Sequence, residues 1–262
     1  MSFYNIYHGD CLDILPTIED KSIDLMVTDP PYFKIINQEW DNTWDSLDHF
    51  VSWYKKILNI CYDKLKPNGS CYVFSAFGNE FNKIVNGFFD TKFKIKNMII
   101  WHRDSPGRKQ SEKRYTLNYE FIWFLTKSDD YTFNLDDVRI SHNYKDQRQN
   151  PLGKNPGCVW YVPNIMMGYN SEQVGHPTQK PEKLIRRMIL ASSNINDVVL
   201  DPFLGSGTTM KVCQDTQRSC IGMEFEDEYI DIIKNRCFGR QFLDRKPDYN
   251  LFCTKSILCD KK

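Results

Sequence analysis

The segment VLDPFLGSGTT, Val199–Thr209, is the first indication of how this chain folds. An apolar run typical of a strand is followed by a turn with two glycines and by the start of a helix. Gly205 and Gly207 permit a tight turn and a close approach of a ligand to the backbone. The next apolar run, CIGME (Cys220–Glu224), predicts a second strand after that helix. A strand, a helix and a second strand in this order are typical of a parallel sheet.

The same alternation extends through most of the chain. Short apolar runs predict strands, and apolar residues at helical spacing predict helices. The predicted strands are Ile23–Val27, Ser70–Ser75, Phe93–Trp101, Tyr119–Thr126, Val198–Asp201 and Cys220–Met223. The predicted helices are Leu47–Leu65, Asn79–Phe89, Pro181–Ser193, Thr208–Thr216 and Glu226–Cys237. The expected fold is α/β: a doubly wound, Rossmann-like, mostly parallel sheet with helices on both faces.

Composition excludes several classes of protein. The chain has 262 residues, with 34 Lys+Arg against 34 Asp+Glu, so its formal net charge is zero. A protein held on nucleic acid by overall charge alone is thereby excluded, although a local basic face is not. The hydrophobic fraction of 41% and the aromatic fraction of 14% exclude an intrinsically disordered chain.

Membrane, secreted and metal-bound classes are also disfavoured. No apolar run is long enough to cross a bilayer and no charged-then-apolar leader is visible, so we expect a cytoplasmic protein without membrane contact. The nine cysteines are spread along the chain without a C-x-x-C pair. We therefore expect free thiols in a reducing compartment, with neither a metal site nor a disulfide framework.

The first segment with chemical character is DPPY, Asp29–Tyr32, directly after the predicted strand Ile23–Val27. A ligand crevice in an open α/β sheet lies beyond the carboxyl ends of its strands, which is where DPPY falls. Pro30 and Pro31 have no amide hydrogen, so the rigid backbone there offers only acceptors. A carboxylate beside a fixed carbonyl can accept both hydrogens of an exocyclic amine, and Tyr32 can stack on the ring of a base taken out of its helix. The alternative is a strand-ending turn with a solvent-exposed aspartate.

The glycine turn does not match the usual phosphate-binding patterns. A P-loop needs a lysine before its Ser/Thr, and a dinucleotide fingerprint needs a third glycine where Met210 stands. A nicotinamide-dependent dehydrogenase is disfavoured for the same reason. Glu224 ends the next predicted strand, where a carboxylate can accept hydrogen bonds from both hydroxyls of a ribose. The segment is therefore predicted to bind a ribose-bearing ligand without a pyrophosphate.

A third motif, HPTQKP (His176–Pro181), precedes the predicted helix Pro181–Ser193. A helix N-terminus, the Thr178 hydroxyl and the Lys180 ammonium together suit an anionic group such as a carboxylate. The alternative is a capped helix start with a solvated lysine.

In chain order, the three motifs resemble those of the β class of amino-group DNA methyltransferases, which use S-adenosylmethionine. That class has a D/S-P-P-Y motif, a target-recognition region, an HPTQKP-like segment and an F-x-G-x-G motif, in this circular order. The corresponding segments here are Asp29–Tyr32, His176–Pro181 and Phe203–Gly207. The resemblance extends from Ile6 to about Cys237.

The resemblance implies a role for each matching residue. Asp29 and the Pro30 carbonyl would accept hydrogen bonds from the target amine, and Tyr32 would stack on the flipped base. Glu224 would hold the ribose, and Thr178 and Lys180 would meet the cofactor carboxylate. The implied catalytic residues are Asp29, Pro30, Pro31 and Tyr32. The implied cofactor-binding residues are Asp10, Cys11, Thr178, Gln179, Lys180, Asp201, Phe203, Gly205, Gly207, Thr208 and Glu224.

The resemblance also implies how the chain is divided. Residues 1–127 would form the catalytic half of one methyltransferase domain, and residues 176–238 its cofactor-binding half. Residues 128–175, with loop 102–118, are irregular in pattern and would form the target-recognition region. Residues 239–262 would be a C-terminal tail. Phe33–Trp44 would be a flap over the flipped base, with ordinary packing of Trp40 and Trp44 as the competing explanation.

Local positive charge is predicted to bind the phosphates of double-stranded DNA. The alternative is a pair of solvated charged loops. The candidate DNA-binding residues are Arg103, Arg108, Lys109, Lys113, Arg114, Arg139, Lys145, Arg148 and Lys154.

The aspartate of DPPY indicates an adenine-N6 enzyme, since cytosine-N4 enzymes of this class more often have serine there. The expected activity is site-specific adenine methylation, as the modification half of a restriction-modification system. Three alternatives stay open: cytosine-N4 methylation, methylation of RNA or of protein glutamine, and a DNA-binding module without activity. A cognate restriction endonuclease and a second copy of the chain are candidate partners.

Overall fold

The computed structural model describes residues 2–33, 43–76, 85–87, 90–103, 112–113, 115–142, 150–165, 171–239 and 250–253. Within these residues the strands are β1 Tyr4–His8, β2 Ile23–Thr28, β3 Leu65–Ser75, β4 Lys94–His102, β5 Tyr119–Thr126, β6 Val159–Tyr161, β7 Val198–Asp201, β8 Ser219–Glu224 and β9 Asn250–Cys253. The numbered helices are α1 Cys11–Ile14, α2 Leu47–Lys64, α3 Leu135–Val138, α4 Glu182–Ser192, α5 Thr208–Asp215 and α6 Asp227–Phe238.

The strands form one sheet in the order β6-β4-β5-β3-β2-β7-β8-β1-β9. Neighbouring strands from β3 to β9 run parallel, whereas β5 is antiparallel to both β3 and β4. The predicted α/β fold with a mostly parallel sheet is therefore confirmed. The central neighbours β2 and β7 come from opposite halves of the chain, and their register pairs Met26 with Leu200. Such a switch of strand order is where open α/β sheets bind ligands.

Helices cover both faces of the sheet. Leu25 and Val27 of β2 belong to one buried cluster, which also contains residues of α4, α5 and α6. Met26 belongs to the other cluster, together with Tyr54 and Leu58 of α2. Because neighbouring residues of a strand point to opposite faces, the apolar centre of β2, Leu25–Val27, is buried on both sides.

Most predicted elements agree with the structure to within a few residues, and the differences have local causes. The strands β1, β6 and β9 were not predicted, because they are short and mix polar with apolar residues. The interval 129–175 was expected to be irregular, but it contains α3, β6 and an isolated antiparallel bridge between Ile140 and Lys154. Most of the predicted helix Asn79–Phe89 lies outside the described residues; residues 85–87 are helical.

The region after Gly239 was expected to be a plain tail. Its described part is β9, which pairs in parallel with β1. The Phe252 ring stacks on Tyr7 with 4.5 Å between centroids. Among the described residues, no helix has the length and apolarity needed to span a membrane.

The turn after β7 rests directly on β8. The Leu204 amide donates to the Met223 carbonyl at 2.8 Å. A Cβ atom added at Gly222 would lie 2.4 Å from Cδ2 of Leu204, closer than carbon atoms approach without displacement. Glycine at position 222 therefore lets the turn that carries Gly205 lie against the sheet.

We predict that Gly222→Ala lowers the free energy of unfolding by about 1–3 kcal/mol, because the added methyl group overpacks this contact. Urea unfolding followed by circular dichroism measures the change. In a Leu204→Ala background the same substitution should have a clearly smaller effect, since the clashing atoms are gone. An equal effect in both backgrounds would contradict this explanation.

Candidate active site

A cavity of about 540 Å³ opens at the carboxyl ends of β2, β7 and β8. It brings together residues from all three motifs. The predicted site residues that line it are Asp10, Cys11, Asp29, Pro30, Pro31, Tyr32, Thr178, Gln179, Lys180, Asp201, Phe203, Gly205, Thr208 and Glu224. Gly207 is the one predicted cofactor residue outside this lining. It is the N-cap of α5, with a left-handed φ of 76°.

The sheet explains why distant motifs share one cavity. DPPY follows β2 and the glycine turn follows β7, and these two strands are parallel neighbours. Asp201 is buried at the end of β7, where it accepts hydrogen bonds from the Thr209 hydroxyl at 2.6 Å and the Phe203 amide at 3.1 Å. The pKa of Asp201 is raised to about 7, mainly by burial, against the opposing effect of these two hydrogen bonds, and the negative charges of Asp29 and Glu224 contribute to the increase.

The Asp29 carboxylate is held by two donors. The Tyr32 hydroxyl donates to Oδ1 at 2.5 Å, and the Lys180 ammonium donates to Oδ2 at 2.5 Å. Burial raises the pKa of Asp29, while the positive charge of Lys180 opposes that shift. Asp29 is therefore an ionisable acceptor in a partly desolvated site.

Glu120 on β5 completes this network. Its Oε2 lies 3.6 Å from Lys180 Nζ and 3.3 Å from the Tyr32 hydroxyl oxygen, whose single hydrogen is directed at the nearer Asp29. Its Oε1 accepts from Arg103 Nη1 at 2.9 Å. The sequence interpretation missed Glu120, although a single acidic residue in the apolar run YEFIWFL was a usable signal.

Lys180 occupies a different place from the one expected. It was expected to bind a cofactor carboxylate, but its ammonium forms ion pairs with two carboxylates of the protein, those of Asp29 and Glu120. Its Nζ also lies 5.2 Å from the Phe74 ring centroid and 5.5 Å from that of Tyr32. Burial lowers the pKa of Lys180, but Asp29 and Glu120 outweigh this effect and leave the pKa raised. The ammonium therefore stays charged.

Arg103 also differs from expectation. It was predicted to bind DNA phosphate, yet its guanidinium pairs with Glu120 and is largely buried. Arg139, another predicted phosphate ligand, donates to Asp136 at 2.6 Å and to the Gly153 carbonyl at 3.1 Å. Both guanidinium groups therefore form ion pairs within the protein, because carboxylates lie within reach of them.

The structure describes two of the remaining predicted DNA-binding residues. Lys113 is exposed and Lys154 is half-buried. The others lie outside the described residues: Arg108, Lys109, Arg114, Lys145 and Arg148. Trp40 of the predicted flap also lies outside them. Trp44 is buried, with its ring 4.9 Å from that of Phe50, which favours ordinary packing at this end of the segment.

Glu224 organises the glycine turn. Its Oε2 accepts from the Gly205 amide at 2.8 Å, and its Oε1 accepts from the amides of Phe225 and Glu226 at 2.8 Å. Burial raises the pKa of Glu224, and these backbone amides counteract that shift. Gly205 has a left-handed φ of 52°, and a Cβ there would lie 3.2 Å from Nε2 of His176.

His176 and Gln179 give the third motif a structural role. The Thr178 amide donates to His176 Nδ1 at 3.2 Å. Burial lowers the pKa of His176 to about 4, helped by Lys180 and Arg236, so the ring is neutral near pH 7. Gln179 accepts from the Val174 amide at 3.0 Å and donates to the Glu172 carbonyl at 2.7 Å.

Arg236 of α6 joins the third motif to the glycine turn. Its Nη1 donates to the Ser206 carbonyl at 3.1 Å and to the Thr208 hydroxyl at 2.8 Å, and its Nη2 donates to Glu182 at 2.8 Å. The Thr208 hydroxyl in turn donates to the Lys180 carbonyl at 3.1 Å. The turn is thus fixed before any ligand binds.

The cavity wall next to Glu224 combines acidic and aromatic groups. Asp10 caps α1 by accepting from the Leu12 amide at 2.8 Å. Phe225 lines the cavity and is 53% exposed, a residue that the motif comparison overlooked. Phe203 lies 5.8 Å from Trp53, measured between ring centroids.

Residues 23–235 match the family model described as DNA methylase, for enzymes of the N6 and N4 type. This chain belongs to the N6/N4 DNA methylase family. It is 34% identical to the Type II methyltransferase M.BglII of Bacillus subtilis, over 94% of this chain and 70% of that protein. It is 38% identical to the DNA adenine methyltransferase YhdJ of Escherichia coli K12, over 86% and 79% of the two chains.

Solved structures agree with this family. The M1.HpyAVI–S-adenosylmethionine complex matches with a TM-score of 0.65 and 26% identity, over 89% of this chain and 98% of that one. The cytosine-N4-specific PvuII DNA methyltransferase matches with a TM-score of 0.74 and 21% identity, over 90% and 86%, which supports the fold alone. The chain is a DNA methyltransferase that uses S-adenosylmethionine.

The residues present fit this cofactor. A buried carboxylate at the end of β8 suits a ribose diol, and the exposed Phe225 ring next to it suits an adenine. The acidic groups Asp10, Asp201 and Glu224 line the same cavity, which suits a ligand carrying a sulfonium and an ammonium group.

We predict that Lys180→Met lowers the free energy of unfolding by about 3 kcal/mol at about pH 8, because it leaves buried carboxylates without their cation. The loss should be smaller at about pH 5. Burial has raised the pKa of Asp29, and removing Lys180 raises it further, so the carboxyl takes up a proton as the pH falls.

Urea unfolding at both pH values measures this difference. Lys183→Met is the matched control, since Lys183 is exposed in the first turn of α4, three residues after Lys180, and its loss should have little effect at either pH. An equal destabilisation by Lys180→Met at the two pH values would count against the charge argument.

Proposed function

We propose that this enzyme methylates the N6 atom of adenine in double-stranded DNA, as the modification enzyme of a restriction-modification system. The observation that carries the proposal is the single cavity lined by both Asp29 and Glu224. A base held at DPPY and a cofactor held at the glycine turn would meet inside it, so a direct transfer needs no large rearrangement of the sheet.

Two observations favour adenine over cytosine. The first residue of the D-P-P-Y motif is Asp29 rather than serine. The relative YhdJ, named an adenine methyltransferase, is 38% identical over most of both chains. Cytosine-N4 methylation is the alternative, because the fold is shared with the cytosine-N4-specific PvuII enzyme.

DPPY is proposed to make the N6 amine of adenine a better nucleophile. The N6 lone pair of adenine is delocalised into the ring. Hydrogen bonds from the amine to Asp29 and the Pro30 carbonyl favour a pyramidal nitrogen, which localises that lone pair. Pro31 keeps the backbone rigid, and the Tyr32 ring supplies a stacking surface for an extruded base, returning about 1–3 kcal/mol of the extrusion energy.

The opposite wall would hold and orient the cofactor, which supplies an activated methyl group when bound. Glu224 is proposed to bind the ribose and Phe225 to stack on the adenine. Asp10 and Cys11 would lie at the adenine end and Asp201 near the methionine portion. Thr178, Gln179, Phe203, Gly205, Gly207 and Thr208 would complete the binding surface. Lys180 is proposed to act on the Asp29 side instead, as its ion pair indicates.

DNA recognition is proposed for residues 128–175 and loop 102–118. Lys113 and Lys154 are proposed to contact phosphates, together with Arg108, Lys109, Arg114, Lys145 and Arg148. We propose that residues 1–127 and 176–238 together form one methyltransferase domain. Residues 239–262 are proposed to form a C-terminal segment that follows it.

The base specificity is tested by the product. We expect the purified enzyme, incubated with unmethylated genomic DNA and labelled S-adenosylmethionine, to yield N6-methyladenine on nucleoside mass spectrometry. Base-resolved sequencing should place the label within one short sequence. Label in N4-methylcytosine would assign the alternative activity, and label confined to RNA or protein would overturn the proposed substrate.

The role of Asp29 is tested by Asp29→Ala. We expect methylation to fall by roughly 100-fold or more, because the amine loses its charged acceptor. Calorimetric titration should show S-adenosylmethionine binding within about twofold of wild type. Asp45→Ala, at an exposed position, is the control. Near wild-type methylation by the Asp29 variant would remove Asp29 from the mechanism.

A further inference from the structure

The carboxylate that the proposed reaction needs as an acceptor already accepts two bonds from the protein. The Tyr32 hydroxyl and the Lys180 ammonium each lie 2.5 Å from an Asp29 oxygen. A carboxylate oxygen has a second lone pair, but each strong donor reduces the negative charge left for another. An incoming amine therefore competes with two protein donors for Asp29.

Glu120 offers the same two donors a second acceptor. Its Oε2 is 3.3 Å from the Tyr32 hydroxyl and 3.6 Å from Lys180 Nζ. Both distances reach ordinary hydrogen-bond lengths after movements of less than about 1 Å. The Glu120 side chain is only 11% exposed, so water competes weakly for its oxygens.

Arg103 fixes Glu120 in this position. Its Nη1 donates to Oε1 at 2.9 Å, which leaves Oε2 directed at the other two residues. The Arg103 backbone amide donates to the Asn118 carbonyl at 2.7 Å. Glu120 is therefore held from β5 and from the base of the loop 102–118.

We propose that Glu120 is a positioning residue, which accepts the Tyr32 hydroxyl and the Lys180 ammonium when the target amine replaces them on Asp29. The exchange moves hydrogen bonds without breaking a covalent bond, and the total charge of the four side chains stays the same. It rests on the proposed function in taking Asp29 as the acceptor of the target amine.

The test is Glu120→Gln. Arg103 holds the oxygen of the new amide, so the amide nitrogen faces Tyr32 and Lys180. This nitrogen is a hydrogen-bond donor and cannot accept from the Tyr32 hydroxyl or the Lys180 ammonium. Both donors then stay on Asp29. We expect kcat at about pH 8 to fall by roughly 10- to 100-fold, with the Kd for S-adenosylmethionine within about twofold of wild type.

The pH profile separates positioning from a structural role. The titratable groups facing Asp29 are Lys180, Glu120, Tyr32, Tyr54 and Asp201, and burial keeps the two tyrosine hydroxyls neutral by raising their pKa values. Glu120 raises the pKa of Asp29 by like-charge repulsion, after the larger effect of burial. Removing its charge should therefore move the acidic limb of kcat to lower pH while the plateau falls.

A second variant isolates the exchange itself. In Tyr32→Phe one donor to Asp29 is gone, so Glu120→Gln should reduce kcat by a smaller factor in that background than in wild type. Glu120→Asp retains the charge and should keep more activity than Glu120→Gln. Glu19→Gln, at an exposed position outside the cavity lining and the proposed DNA-recognition region, is the matched control.

The outcomes are distinct. Wild-type kcat for Glu120→Gln, an unmoved acidic limb, or an equal loss in the Tyr32→Phe background would each overturn the proposal. If Glu120→Gln does not fold, as judged by circular dichroism, the comparison passes to Glu120→Asp, whose equal loss in both Tyr32 backgrounds would overturn it. All rates are measured on the base that the wild type methylates, so failure of the adenine assignment shows in the wild-type product alone.

Discussion

The parallel pairing of β2 with β7 is the constraint on which the site depends. These strands are encoded far apart, yet the sheet places their carboxyl ends side by side. Each strand ends in an aspartate, Asp29 just beyond β2 and Asp201 within β7. A one-residue change of register would turn every side chain of the shifted strand to the other face, and both apolar clusters oppose such a slip because β2 is buried on both sides.

Charge balance explains how the carboxylate of Asp29, just beyond β2, can be buried. Asp29 and Glu120 are accompanied by Lys180 and Arg103, so the network has no net charge when all four are ionised. Removing charges from water is unfavourable unless partners and hydrogen bonds replace it. The wall formed by Glu224 uses another solution, since three backbone amides satisfy its carboxylate without a cation. The proposed exchange of partners concerns the first arrangement, whereas the second is built from hydrogen bonds to the backbone.

Sequence patterns were sufficient for the central fold and for the location of the site. Hydrophobic periodicity predicted β2, β7 and the helices around them, because buried strands and amphipathic helices leave a strong local signal. The motifs placed Asp29 and Glu224 at strand ends that share the cavity. Partners were not predictable in the same way. Lys180 lies 151 residues from Asp29, and spacing along the chain does not show which carboxylate meets which cation.

The place of β1 has a consequence for biosynthesis. Synthesis runs from the amino to the carboxyl end, so β1 is made more than two hundred residues before its neighbours β8 and β9. Until β8 and β9 are made, β1 has neither of these partner strands, and its apolar residue Ile6 cannot be buried against the later elements that cover it. Such long-range closure slows folding. The pairing of β1 and the placement of the segment leading to Asp10 would therefore come late, so the methyl-donor pocket would form only after β8 has been made.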